Sequence, residues 1–406
     1  MHDFLNAVPQ LRRNVVAVLG LCAGLTLGTA WAADTAANQF QLRGFGTLGV
    51  LRSDTDQVEF VRDLSQPRGA TNHWTAKVDS VLGLQADWRV APQWQLVLQG
   101  VSRYRYDNSF RPEVSWAFVK FEPEPNLTLR AGRLGTDFFM LADSRWVGYS
   151  YLTVRPPGDY FWYLPFYSIH GADLVASIPH EGAVVRAKVF YGHSQGKIPL
   201  ADEQWDIDGS PMGGGYLEYQ SSNWQIRASY ANVKFRRDLP LAPVLQKMSP
   251  PLPLLPADAD FLKAGDTRSH YYGLGMVYDK GRFQAQLLLN HIRQGSNAFE
   301  SSDAGYFLVS YRQVGWTPFV GISRVVSHAR PRSASPIANY VMEDARARQT
   351  TYFAGVRWDL APNVALKAQV DAVRGHDASI FPYRRENRQA WDGQMNIYSM
   401  SLDFIF

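Results

Sequence analysis

The chain has 406 residues, 46% apolar and 19% charged, with a formal net charge of +4. It is too apolar to be disordered and too weakly basic to read as a nucleic-acid binder. Its single cysteine, Cys22, excludes a disulfide framework, an iron–sulfur cluster and a thiolate zinc site.

The first 32 residues read as a secretory signal peptide. Arg12 and Arg13 precede an uncharged run over 15–33, which closes on Ala30-Trp31-Ala32. Cleavage after Ala32 leaves 33–406 as the mature chain, and Sec-type export follows from such a leader.

Beyond it, no apolar stretch reaches the roughly 20 residues of a spanning helix. Apolar and polar residues instead alternate with a period of two, the mark of strands with two different faces. The first strand contains Gly44-Phe45-Gly46-Thr47-Leu48-Gly49. This spells G-x-G-x-x-G, but no helix follows, so close strand packing explains it better than a nucleotide. In the next hairpin Val78, Leu82, Leu84, Ala86 and Trp88 share one face, with Asp79, Gln85, Asp87 and Arg89 opposite. Trp94, Leu96 and Leu98 continue the apolar face against Gln95, Gln99, Arg103 and Arg105.

The same reading along the chain predicts sixteen strands, near 39–51, 74–89, 94–106, 113–122, 127–134, 169–178, 183–193, 212–220, 224–236, 269–279, 283–293, 304–313, 316–327, 349–360, 364–375 and 395–406. Strands of this length cross a bilayer at a steep tilt. Short turns at 90–93, 123–126, 179–182, 221–223, 279–282, 313–315 and 361–363 alternate with long loops. Trp88, Trp94, Trp224, Phe283, Trp316 and Trp358 all sit beside short turns, as an interfacial aromatic girdle would. The fold class is therefore all-β, a transmembrane antiparallel barrel with its apolar face toward lipid. The Pro-rich stretch 240–256 cannot join a sheet and reads as an extended external loop.

In the last strand Tyr398, Met400, Leu402, Phe404 and the terminal Phe406 alternate with Ser399, Ser401 and Asp403. An amphipathic final strand ending in Phe resembles the assembly signal of Gram-negative outer-membrane proteins. The strand count, the alternating loops and a long segment after strand five resemble the general porin superfamily, over essentially the whole mature chain. The Pro-Glu-Phe-Gly-type element of many such third loops is absent here. The resemblance implies a third loop folded into the lumen, a homotrimer, and insertion by the barrel-assembly machinery. It also implies contact with outer-membrane lipid and lipopolysaccharide.

That third loop, about 135–168, holds Asp137, Asp143, Asp159, Arg145 and Arg155 among many aromatic residues. Packing of a folded loop explains the aromatics better than a solute track. Parity turns Arg43, Arg103, Arg105, Arg130, Arg186, Lys188, Arg227, Arg357 and Lys367 into the lumen, with Asp79, Asp87, Asp173, Glu218, Asp359 and Asp371. The expected constriction sets Asp137 and Asp143 against Arg103, Arg105 and Arg130, with Arg145 nearby, and carries a mild anion preference. In the strand over 364–375, Lys367 and Asp371 face the lumen while Leu366 and Val370 face lipid. On that reading Leu366→Arg impairs folding more than Gln369→Arg.

The histidines show no metal-ligand spacing, and neither H-E-x-x-H nor G-x-S-x-G occurs. No enzyme activity, cofactor or metal is expected. The function read from the sequence is a water-filled outer-membrane channel for passive diffusion of small hydrophilic solutes. A substrate-selective channel with an aromatic binding track is the alternative. A barrel enzyme or a closed structural barrel is the alternative of another class.

Overall fold

The computed structural model describes residues 39–406, apart from 163, 249, 331, 345, 376–382 and 385–390. The expected signal peptide lies outside the described residues. Sixteen strands form one closed antiparallel barrel. In chain order they are β1 Gln39–Ser53, β2 Val81–Ala91, β3 Trp94–Arg103, β4 Glu113–Glu124, β5 Leu127–Gly135, β6 Ser168–His180, β7 Ala183–Gln195 and β8 Pro211–Gln220. Then come β9 Trp224–Lys234, β10 Arg268–Lys280, β11 Phe283–Arg293, β12 Ser301–Tyr311, β13 Trp316–His328, β14 Arg348–Ala361, β15 Val364–Gly375 and β16 Gln394–Ile405. Each strand pairs with its sequence neighbour, and β1 closes on β16 with Phe45 opposite Ile405 and Arg52 opposite Tyr398.

The short turns fall where the alternation breaks. Glu181 and Gly182 both take positive φ, 42° and 80°, the backbone that matches strand twist in a two-residue hairpin. All six aromatics beside the short turns point outward at one end of the barrel, 38–44% exposed. Gly44 and Gly46 lie under the rings of Phe406 and Phe404, where a Cβ would collide, so the glycine motif does serve close packing.

The two barrel faces invert the order of a water-soluble protein. Leu82, Leu84, Leu98, Leu217 and Val320 stand 47–57% exposed on the outside, a surface suited to acyl chains. Asp79, Arg155, Lys367 and Asp403 are buried inside.

Four expectations need correction. β2 starts at Val81 rather than 74, because 54–80 is a loop that turns inward; Val78 is buried in that loop and not on the lipid face. β3 ends at Arg103, so Arg105 stands in the following loop. The Pro-rich stretch is not extended. It carries helices Leu241–Gln246 and Pro256–Phe261, which use proline where a helix start needs no N–H, and Leu241 and Leu262 pack on Ala338 and Met342 of a third helix-bearing loop. Gln369 faces inward as parity requires, yet it is only 5% exposed, and its side chain accepts the Val154 N–H at 2.9 Å. The wall there is packed and its polar group is taken, so the tolerance expected for Gln369→Arg does not follow.

Candidate pore constriction

Loop 136–167 crosses the lumen. Phe138 packs on Phe190 of β7 at 6.2 Å and on Tyr271 of β10 at 5.7 Å between ring centroids. Phe139 packs on Tyr160 at 5.4 Å, and Tyr160 on Tyr306 of β12 at 5.6 Å. Gly148 then reaches the seam between Thr47 of β1 and Asp403 of β16, where a Cβ would strike both side chains.

A backbone inside a barrel must find hydrogen-bond partners, and the wall supplies them. Lys367 donates to the carbonyls of Gly148 at 2.7 Å and Thr153 at 3.1 Å, and pairs with Asp403 at 3.0 Å. Arg155 is the principal anchor. Its Nε and Nη2 hold Asp79 at 3.0 and 2.8 Å, its Nη1 holds Asp371 at 3.0 Å, and the Phe60 ring covers it at 5.0 Å. In the helical turn Gly158–Phe161, Asp159 accepts from Ser323 and Gln349, each at 2.5 Å.

Loop 54–80 folds onto this crossing. The Trp162 indole donates to the Arg62 carbonyl at 3.1 Å, Arg62 donates to the Arg145 carbonyl at 2.7 Å, and the Tyr167 hydroxyl donates to Asp63 at 2.5 Å. The two loops convert the β10–β16 side of the lumen into a packed core.

Polar space remains along β1–β9. An outer cavity of about 250 Å³ opens on the long-loop side and an inner one of about 740 Å³ on the short-turn side. Both are lined by Trp116 of β4 and Asp143 of the crossing loop, which puts the narrowing between them. A shift in register opposite Gln99 and Gly100 turns both Ser115 and Trp116 inward, and Gly135 leaves room for the indole. Among the described residues, five bases and three acids line the outer cavity, and six bases and three acids the inner one. On both sides of the narrowing the lining carries more basic than acidic side chains.

The expected constriction residues divide into four groups. Arg103 and Arg105 line the outer cavity and share Glu113, at 3.0 and 3.4 Å. Trp146 and Tyr167 cover the Arg103 guanidinium at 4.4 and 4.5 Å. Arg130 and Asp137 line the inner cavity, but not as a facing pair. Arg130 is bidentate to Asp173 at 2.9 and 2.5 Å, and Asp137 pairs with Lys188 at 2.5 Å. Arg145 stacks on Tyr167 at 4.3 Å and donates to the carbonyls of Leu164 and Phe166, so its charge ties the loop to itself. Asp143 accepts the Ser144 N–H at 2.9 Å and lines both cavities. The protein around it, with Asp137 close by, holds its carboxyl above the usual carboxylate range.

Trp116, Phe118, Arg133 and Lys197 escaped the sequence reading. Parity along β4 could have found the first two, since Trp116, Phe118 and Lys120 share the inner face. Lys197 sits in a short hairpin, Lys197–Leu200 with Glu203–Asp206, that no alternation announced. The spacing of histidines also concealed a cluster: His291, Asp303 and His328 come together on the outside of the barrel. Sequence spacing does not show this proximity, which arises from the pairing of three neighbouring strands.

No protein-family model and no curated protein matches the chain. Solved structures do. Outer-membrane expressed OmpT of Vibrio cholerae superposes with a TM-score of 0.55 at 12% identity, over 92% of this chain and 99% of that one; its in-vitro folded trimer form also matches. Salmonella typhi OmpF in complex with daunomycin gives 0.57 at 13% identity, over 91% and 98%. The outer membrane channel DcaP of Acinetobacter baumannii gives 0.53 at 9% identity, over 92% and 99%. The closed barrel fold of this chain is shared with these outer-membrane proteins.

Proposed function

We propose that the chain is an outer-membrane channel through which small hydrophilic solutes diffuse passively, with a mild preference for anions. The observation that carries this reading is the pair of polar lumen cavities meeting at Trp116 and Asp143 under an excess of basic residues. A positive wall concentrates anions and weakens with ionic strength. Residues 1–32 direct export and are removed, and the mature barrel sits in a Gram-negative outer membrane. Trp88, Trp94, Trp224, Trp316 and Trp358 mark its periplasmic interface. Phe406 acts in assembly, where its backbone exchanges bonds of 2.8 and 3.0 Å with Gly44 at the seam. The trimer form of a structural neighbour supports a homotrimer.

One observation favours a more selective channel. Trp116, Trp146, Tyr106 and Tyr167 crowd the outer cavity beside Arg103, Arg105 and Arg145. Recordings in planar bilayers separate the readings. Ohmic current steps with an anion-selective reversal potential support the diffusion channel. Saturable block by one solute class supports the selective one. No current at all overturns both and leaves a closed barrel or a barrel enzyme.

A further inference from the structure

Three side chains far apart in sequence converge on the outer rim. His291 of β11 lies opposite Asp303 of β12, and His328 is the last residue of β13, whose ladder with β12 pairs it with Ser301. His291 Nδ1 stands 2.7 Å from one Asp303 oxygen, and His328 Nε2 stands 2.6 Å from the other. The donor atoms all lie within 4.8 Å of one another. All three side chains point away from the lumen and are about half exposed, at the long-loop end of the barrel.

We propose that His291, Asp303 and His328 bind a divalent transition-metal ion, with Zn²⁺ the natural probe. Two imidazoles and a carboxylate are a donor set for borderline metals rather than for Mg²⁺ or Ca²⁺, which prefer all-oxygen shells. The carboxylate turns one oxygen to each imidazole, which brings two nitrogens and a carboxylate within 4.8 Å of one another. In the absence of a metal each of these N–O contacts needs a proton, and an ion replaces both. With metal–nitrogen and metal–oxygen bonds of about 2.0–2.2 Å, donors in a tetrahedron stand about 3.3 Å apart. The two N–O contacts, at 2.7 and 2.6 Å, need to open by about 0.6–0.7 Å and the donors, now within 4.8 Å of one another, to settle at that spacing, which side-chain rotation supplies. The ladders hold the three Cα positions, so little ordering is left to binding. Three protein donors leave outward positions for water or another ligand. Arg293 and Arg324 share the outward face nearby, and their charge lowers the affinity below that of a closed four-ligand site. A bound ion would staple three neighbouring strands at the rim.

The test is calorimetric titration of Zn²⁺ into the tag-free, refolded full chain in detergent. The expected result is one ion per chain. His291→Gln and His328→Gln each lower the affinity at least about tenfold, while His180→Gln, at the opposite rim, leaves it unchanged. Zinc-edge absorption of the wild-type complex reads the ligands directly and decides the matter if a variant does not refold. Two imidazoles and a carboxylate support the site. Absence of stoichiometric binding, equal binding by the His291→Gln/His328→Gln double variant, or a spectrum without imidazole overturns it.

Discussion

Arg155→Met tests whether the crossing loop is held by charge. The guanidinium is held by two carboxylates, through Nε and Nη2 to Asp79 at 3.0 and 2.8 Å and through Nη1 to Asp371 at 3.0 Å, and all three residues are buried. Methionine fills much of the same volume but strands both carboxylates. Removing one member of a buried ion pair costs about 3–5 kcal/mol, because the remaining charge is left without compensation. Arg62 stands 4.0 Å from Asp79 and softens the loss, so the lower end, about 3 kcal/mol, applies. That shifts the docked-to-released balance of the loop by roughly 150-fold. Single-channel recordings should show a larger, noisier conductance, and thermal unfolding in detergent should shift to lower temperature. The triple variant Arg155→Met/Asp79→Asn/Asp371→Asn removes the charges together and should recover most of the loss. Wild-type conductance and melting in Arg155→Met would refute the reasoning. A triple variant as damaged as the single one would show that packing, not charge, holds the loop.

Two further outcomes follow from the walls of the open side. Leu84 faces outward at 47% exposure and Gln85 lines the inner cavity. Leu84→Arg near the bilayer midplane should cost about 2–4 kcal/mol, whereas Gln85→Arg should stay within about 0.5 kcal/mol; refolding yield and urea unfolding in lipid vesicles compare them, and equal tolerance would place β2 in the other register. Because the Asp143 carboxyl is held above the ordinary range, it gains its proton earlier than an exposed carboxyl as pH falls. The narrowing then loses a negative charge, so anion selectivity should rise on mild acidification, and Asp143→Asn should show the acidic value at neutral pH with a flattened profile; reversal potentials measured against pH check this.

The strands and turns were legible because their signals are local. A period of two needs only a few neighbouring residues, and the glycine turns announce themselves within the hairpin. Parity also placed Lys367, Asp371 and Arg130 on the correct side of the wall. It could not say what lies against them. Gln369 passed for a hydrated position because its partner, the Val154 N–H, is 215 residues away in the sequence. Loop 54–80 was invisible for the same reason, since irregular backbone has no period and Arg62 meets Trp162 only after both loops have turned inward. Asp137 was assigned other bases because β5, β7 and β9 all bring cations near it, and the choice of Lys188 depends on the path of the loop.

The position of Gly148 bears on how such a ring is finished. It rests on Thr47 of the first strand and Asp403 of the last, whose side chains meet at 2.5 Å across the junction. That cradle is complete only when the two ends of the sheet have found each other. The middle of the chain therefore acts as a keystone that bridges the first strand and the last. Contacts bridging more than 200 residues, such as Lys367 with Gly148, form late because their loop-closure entropy must first be overcome. An unfinished barrel has nowhere to seat this segment, so its burial distinguishes a completed ring from one still open at the seam.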